Sequence, residues 1–292
     1  LALVQHNADA WEGDPVEASA ELMRLTRTAL PRDPDVVVWS ETALSYPWDS
    51  SFHDRFPQRD SLRDFARSLR QPLITGVPVV ERVQPLVAYN AAVQLDGGRI
   101  SEWYGKRQLV PFAERVPFRD SPLMRYFMET FVGLPGGGWA TGPRITVFSL
   151  PGSDGPIRTV TPICFEDGFP NVVRDMVLRD ADLLLNLTNN SWSRSEGAQS
   201  QHLVAALFRS IETRRPLVRG TNSGITVVIE PDGRMRDQLP MFEPGMLVTD
   251  VAVARGMWTP YLAIGDLLPQ LAILAVLGWM VWSRLRRTRA NP

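Results

Sequence analysis

Arg158-Thr159-Val160-Thr161-Pro162-Ile163-Cys164-Phe165-Glu166 is a β-branched run that delivers the only thiol in the chain. A second run, Val36-Val37-Val38-Trp39-Ser40-Glu41-Thr42-Ala43, reads as a buried strand ending on a carboxylate. Short apolar runs of this kind suit strands covered on both faces, as in parallel or mixed sheets. Outward from these two, strand patterns recur at 1–7, 73–80, 87–95, 144–150, 181–188, 217–222 and 224–230. Helical patterns at 16–30, 58–70, 169–179 and 199–214 alternate with them; in the last, Leu203, Leu207 and Ile211 recur every fourth residue and Pro216 follows the end. Asp96-Gly97-Gly98 and Pro231-Asp232-Gly233 read as hairpin turns. The alternation predicts a mixed-sheet α/β domain over about residues 1–255.

Bulk properties narrow the function. The chain has 292 residues, 44% hydrophobic and 22% charged, enough to bury a sizeable core. A formal net charge of -1 gives no electrostatic reason to expect a nucleic-acid partner. A single cysteine excludes an intrachain disulfide. His6, His53 and His202 are scattered, so no metal site and no cofactor are expected. The chain opens at Leu1 directly on a strand pattern, which suggests that a region upstream is missing.

The basic residues are more telling. Lys and Arg total 31, and a single one, Lys106, is lysine. Arg is a wide planar fork, whereas Lys is a compact point charge on a slim stem. A site that needs a small ammonium beside a nucleophile does not accept Arg easily. Lys106 lies in Trp103-Tyr104-Gly105-Lys106-Arg107-Gln108-Leu109-Val110-Pro111-Phe112-Ala113-Glu114, shortly after a strand pattern. Strand ends are where reactive groups collect in α/β sheets. A thiol needs a base to become the better nucleophile, and Glu41 could take its proton. Attack on an acyl carbon builds an oxyanion, which Lys106 and the backbone N–H of Phe165 could stabilise. Each signal alone has a blander reading, a buried apolar Cys or a helix-capping Glu. The three together favour chemistry.

These segments, in this order, resemble the Glu–Lys–Cys motifs of the nitrilase, or carbon-nitrogen hydrolase, superfamily. More narrowly they resemble its apolipoprotein N-acyltransferase branch. The resemblance continues through Asn186-Leu187-Thr188-Asn189-Asn190-Ser191-Trp192, Gln201-His202-Leu203 and Arg219-Gly220-Thr221-Asn222-Ser223-Gly224-Ile225. It implies a four-layer αββα sandwich, with Glu41 as general base, Lys106 as oxyanion stabiliser and Cys164 as nucleophile. Glu114 matches a second carboxylate that holds the lysine, Glu166 an acidic residue beside the nucleophile, and Asn190 and Trp192 sit among implied substrate contacts. Phe165 stands where a Tyr is frequent, keeping the backbone N–H but not the hydroxyl. The implied partners are a phospholipid acyl donor and a diacylglyceryl-Cys apolipoprotein acceptor in the bacterial inner membrane, with the catalytic domain on the periplasmic side.

The C-terminal part fits that setting. Residues 256–283 hold a lead-in and the apolar run Leu267-Leu268-Pro269-Gln270-Leu271-Ala272-Ile273-Leu274-Ala275-Val276-Leu277-Gly278-Trp279-Met280-Val281-Trp282. As one helix, 261–282 would span ~33 Å, about a bilayer core. Arg284, Arg286, Arg287 and Arg289 in the tail, 284–292, favour the cytoplasmic side. The alternative is a buried core helix with a solvated tail. The glycine run Gly133-Leu134-Pro135-Gly136-Gly137-Gly138 lacks the Gly-Lys-Ser/Thr of a phosphate loop. The apolar residues just before it, from Met124 to Val132, read either as core or as a lid dipping into lipid. No Gly-x-Ser-x-Gly elbow is present. Two other functions compete with acyl transfer: a membrane-tethered amidase that uses water as acceptor, and an inactive membrane-anchored scaffold.

Overall fold

The computed structural model describes residues 1–9, 13–48, 59–84, 86–111, 113–115, 138–253 and 255–290; the 124–132 stretch and the start of the glycine run lie outside them. Five strands open the fold: β1 (Ala2–Gln5), β2 (Val37–Trp39), β3 (Leu73–Arg82), β4 (Val87–Asp96) and β5 (Arg99–Gly105). A second sheet follows from β6 (Phe148–Leu150), β7 (Ile157–Val160), β8 (Leu183–Thr188), β9 (Leu217–Thr221), β10 (Val227–Ile229) and β11 (Met235–Arg236). The last strand, β12 (Gly245–Val248), returns to the first sheet and pairs antiparallel with β1. The strand orders are β12-β1-β2-β3-β4-β5 and β11-β10-β9-β8-β7-β6. In each sheet the three central strands, β1-β2-β3 and β7-β8-β9, run parallel.

Side-chain alternation along the strands assigns the faces. Leu3, Val38 and Ile74 join Leu184, Val218 and Val227 of the second sheet in one buried cluster. Their neighbours Val4, Val37, Trp39 and Leu73 point the other way, onto Leu22 and Leu25 of α1 (Pro15–Ala29) and Leu62 and Phe65 of α2 (Arg59–Ser68). The far face of the second sheet is covered by α3 (Pro170–Val177) through Val173, Met176 and Val177, and by α4 (Glu196–Thr213) through Leu203 and Ala206. The layers are helix, sheet, sheet, helix, as expected.

Several boundaries differ from the sequence reading. The 144–150 strand shrinks to β6, and α4 starts earlier because the Ser195 side chain accepts the N–H of Ala198 as an N-cap. β5, β11 and β12 carry no strong periodic signal; most of their residues are half-buried or exposed, so they lack the apolar run that marks a covered strand. Both hairpin turns form. Gly97 and Gly98 close β4 onto β5 with φ of +54° and +77°, and Ile229 pairs with Met235 across the other.

The C-terminal helix is not continuous from 261. α5 (Pro260–Ile264) stops at Gly265, φ +54°, and α6 (Leu267–Ala290) starts afresh. In α6 the stretch Leu267–Arg284 has a mean hydropathy of 1.4 and none of it is buried. Among the described residues it is not covered as a core helix would be. Its 24 residues measure ~36 Å, and it is long and apolar enough to cross a membrane.

Candidate active site

Glu41 stands two residues beyond β2, in a tight turn where Thr42 has φ +49°. Gly76 on β3 lets that turn lie flat on the sheet: a Cβ there would sit 2.4 Å from the Thr42 nitrogen and 2.6 Å from the Glu41 Cα. The Gly76 N–H donates to the Ser40 carbonyl (3.0 Å), and the Leu44 N–H to the Gly76 carbonyl (3.3 Å). The carboxylate is buried. Its Oε1 accepts from Asn90 Nδ2 (2.8 Å) and Lys106 Nζ (3.3 Å), its Oε2 from the Asn189 N–H (2.8 Å).

Lys106 directly follows β5, whose last residues pair with β4; its N–H donates to the Asn90 carbonyl (2.8 Å) and its carbonyl accepts from Gly142 (2.9 Å). The side chain is 1% exposed. Besides Glu41, its ammonium donates to Glu114 Oε1 (2.8 Å), which also accepts from Asn90 Nδ2 (3.0 Å). The other Glu114 oxygen takes the Val110 N–H (2.9 Å), four residues earlier. Burial pulls the Lys106 pKa down, but Glu41, the Cys164 thiol and Glu114 together push it up further, for a net rise. The ammonium is thus held charged in a dry site.

Cys164 is not the last residue of a strand. β7 ends at Val160; Ile163 makes a single bridge to Leu187 of β8, and the chain turns into a 3-10 helix, Cys164–Gly168. Cys164 opens it with φ +51°, a strained value for a residue with a Cβ. Asn186 on β8 holds the approach, its Nδ2 donating to the Pro162 and Cys164 carbonyls (both 3.1 Å). The thiol is buried in the cluster between the sheets. Burial pushes its pKa up, Glu41 adds to the rise and Lys106 opposes it; the net shift is upward. Glu41, Lys106, Glu114 and Cys164 thus lie in one electrostatic cluster.

Glu166 is fully buried, and its surroundings explain it. Tyr104 OH (2.9 and 3.1 Å), Arg107 N–H (2.8 Å), Gln108 N–H (2.9 Å) and Ile163 N–H (2.8 Å) all donate to it. Burial raises its pKa against the pull of those backbone N–H groups. Its donors flank Lys106 on one side and precede Cys164 on the other, so this carboxyl staples the two segments together.

Asp167, next along, belongs to a second buried group. Its two oxygens accept from Arg219 Nη1 (2.5 Å) and His202 Nε2 (2.8 Å), while Arg219 Nη2 bonds His202 Nδ1 (2.9 Å). A guanidinium only donates, so Nδ1 is the acceptor and Nε2 carries the proton. Phe165 is half exposed, its ring against His202 (5.3 Å) and Phe169 (5.6 Å). Asn190 is buried, its amide bonded to Gln199 of α4, whereas Trp192 is 60% exposed.

The sequence reading did not single out Asn90 or Asp167, and it quoted Tyr104, Asn189, His202 and Arg219 within its motifs without giving them a role. A cavity of about 270 Å³ lined by Asn7, Asp9, Ser191, Arg194, Ser223 and Phe242 opens two residues past Asn189. Among the described residues no three His, Cys, Asp or Glu side chains gather as metal ligands do.

The two-sheet sandwich thus carries a buried carboxylate, ammonium and thiol in segments that follow β2, β5 and β7, and the comparisons give the class of protein to which it belongs. Residues 1–260 match the carbon-nitrogen hydrolase family, and the chain belongs to it. It is 37% identical over 283 residues to apolipoprotein N-acyltransferase 2 of Treponema denticola, covering 94% of this chain and 53% of that protein. The apolipoprotein N-acyltransferase of Borreliella burgdorferi is 32% identical over 274 residues, covering 91% of this chain and 51% of that one. The chain therefore spans about half the length of the curated relatives it matches. Among solved structures, the fold is similar to an amidase of the nitrilase superfamily from Nesterenkonia sp. AN1, with a TM-score of 0.61, 19% identity, and coverage of 86% of this chain and 90% of that one.

Proposed function

We propose that this chain is the catalytic part of an apolipoprotein N-acyltransferase, with Glu41, Lys106 and Cys164 as its triad. The observation that carries the reading is the buried cluster: an ammonium between two carboxylates (3.3 and 2.8 Å) that also acts on the sole thiol. The names of the relatives favour acyl transfer over amide hydrolysis.

The chemistry follows from the geometry. A thiol with a raised pKa is a poor nucleophile until a base takes its proton, and Glu41 is the carboxylate that acts most strongly on it. Sulfur attacks the ester carbonyl of a phospholipid as the proton passes to Glu41. The oxyanion is met by the Lys106 ammonium and the Phe165 N–H. Collapse breaks the ester C–O bond; the lysophospholipid oxygen leaves with the proton from Glu41, and the acyl group stays on Cys164 as a thioester. The α-amine of a diacylglyceryl-Cys apolipoprotein then attacks that carbonyl, gives its proton to Glu41, and the thiol is restored as the amide forms. Glu114 fixes the lysine; Asn190 and Trp192 belong to the substrate side.

Residues 1–255 form the catalytic domain in this account, 256–283 the membrane helix with its lead-in, and 284–292 a basic tail. The helix lies in the bacterial inner membrane, with the domain outside and the tail in the cytoplasm. Incubation of the membrane-reconstituted protein with phospholipid should add one acyl mass, labile to hydroxylamine and absent from Cys164→Ala. An adduct that persists in Cys164→Ala, or an active protein with none, would end the thioester route.

A further inference from the structure

The turn that carries Cys164 runs straight into α3. It closes on Phe169, whose N–H bonds the Glu166 carbonyl (3.0 Å), and Pro170 starts the helix. Just over one turn on, Arg174 reaches across to α5. Its Nε donates to the carbonyls of Tyr261 and Leu262 and its Nη2 to that of Ala263, each at 3.1 Å. The Tyr261 carbonyl also takes the Gly265 N–H (2.8 Å). The carbonyls of Leu262 and Ala263 come last in the helix, where intrahelical donors run out and partial negative charge collects, and the guanidinium fork meets both needs. Gly265 closes the junction: a Cβ added to it would meet Arg174 Nε at 3.4 Å. At the other end of α5, Thr259 Oγ1 donates to the Glu212 carbonyl of α4 (2.6 Å) and accepts the Leu262 N–H (3.1 Å). Leu262 is buried in the same cluster as Ile163, Cys164, Val173 and Met176.

α6, none of whose apolar stretch is buried, begins two residues after Gly265. Its root is therefore tied to the helix behind the nucleophile, not to a loose linker. Met257 and Trp258, just before α5, are 44% and 68% exposed at this junction. A Trp at such a position suits the headgroup level.

We infer that Arg174 is a positioning residue for membrane-borne substrate: by locking α5 to α3 it sets the height and tilt of Cys164 over the bilayer. The inference rests on the acyl-transfer reading, with α6 as the anchor. A donor ester lies at a fixed depth in the membrane. A nucleophile on a swinging body would meet it rarely, whereas one on a locked root meets it in each encounter, and small misplacements lose large rate factors.

The experiment compares two donors for the same reconstituted protein. One is vesicle phospholipid; the other is a water-soluble short-chain acyl thioester, which needs no set height. Formation of acyl-Cys164 is timed for wild type, Arg174→Gln and Gly265→Ala. Both variants should lose about tenfold or more with phospholipid and stay within about twofold of wild type with the soluble donor. Retention of the phospholipid rate overturns the inference. So does equal loss with both donors, which makes Arg174 a support of the fold alone. If wild type is acylated by the soluble donor but never by phospholipid, the acyltransferase reading itself fails and takes this inference with it.

Discussion

At Lys106 two effects oppose each other. Burial disfavours an ammonium, and two carboxylates and a thiol favour it; the carboxylates win, because each lies within hydrogen-bond or ion-pair reach in a dry site. A broader cation would have to fit between the same two carboxylates in a buried site. Lys106→Arg should keep the charge yet misplace it, and acyl-enzyme formation should fall by about 10²-fold or more. Stopped time points read by intact-protein mass check this, and near-normal rates would remove Lys106 from the mechanism. This residue was legible in the sequence because it is the only one of its kind, as is Cys164. Asn90 and Asn189, which hold Glu41 and the lysine, were not. Asn is common, and nothing local says that the Asn90 side-chain amide or the main-chain N–H of Asn189, just past β8, will meet the Glu41 carboxylate. The φ of +51° at Cys164 was equally hidden, since the contacts around it come from outside the turn: Asn186 holds the Cys164 carbonyl, and partners distant in sequence hold the Glu166 and Asp167 side chains.

Between elements, the exit of β1 under α1 holds a consequence for acid stability. His6 directly follows that strand, 7% exposed, with its Nδ1 unpartnered among the described residues. Burial lowers its pKa from 6.5 to about 4, against a weaker upward pull from Glu21 on α1. Between those two values the unfolded chain binds a proton that the folded chain refuses. Stability is therefore full above pH 6.5 and drains away as the pH falls toward 4, by roughly 3 kcal/mol at most. His6→Gln removes the titration, so urea midpoints followed from pH 7 to 5 should fall less steeply in the variant than in wild type. Identical slopes would show that His6 is solvated or partnered in the folded state. Element by element, the covered strands could be read from their apolar runs, because burial on both faces leaves a continuous signature. β5 and β12 could not: they complete the sheet that positions Lys106 and β1, yet their own side chains remain partly in water.

Over the whole molecule, the two sheets bring three segments together at one end, and α6 gives that end a direction. Arg284 and Arg286 follow the apolar run at the far end of α6, and a basic flank favours the cytoplasmic face. A Cys introduced at Ser283 in a Cys164→Ala background should react with a membrane-impermeant maleimide only after the cytoplasmic face is opened. Reaction from the periplasmic side would reverse the orientation and remove access to lipoproteins.

The central claim is transfer to an amine rather than to water. Both fates start from the same thioester, and water is in large excess. Aminolysis prevails only if the site excludes water and positions the amine; good positioning supplies effective molarities of ~10⁵ M or more. An α-amino group, with a pKa near ~8, offers far more neutral amine at pH 7 than a Lys side chain near ~10.4. The decisive measurement is the lifetime of acyl-Cys164 in buffer and after addition of a diacylglyceryl-Cys peptide. The account predicts a thioester that persists alone, discharges quickly onto the peptide, and ignores the same peptide with its α-amine acetylated. Rapid hydrolysis without peptide, together with turnover of small amides, would contradict it and leave a membrane-tethered amidase.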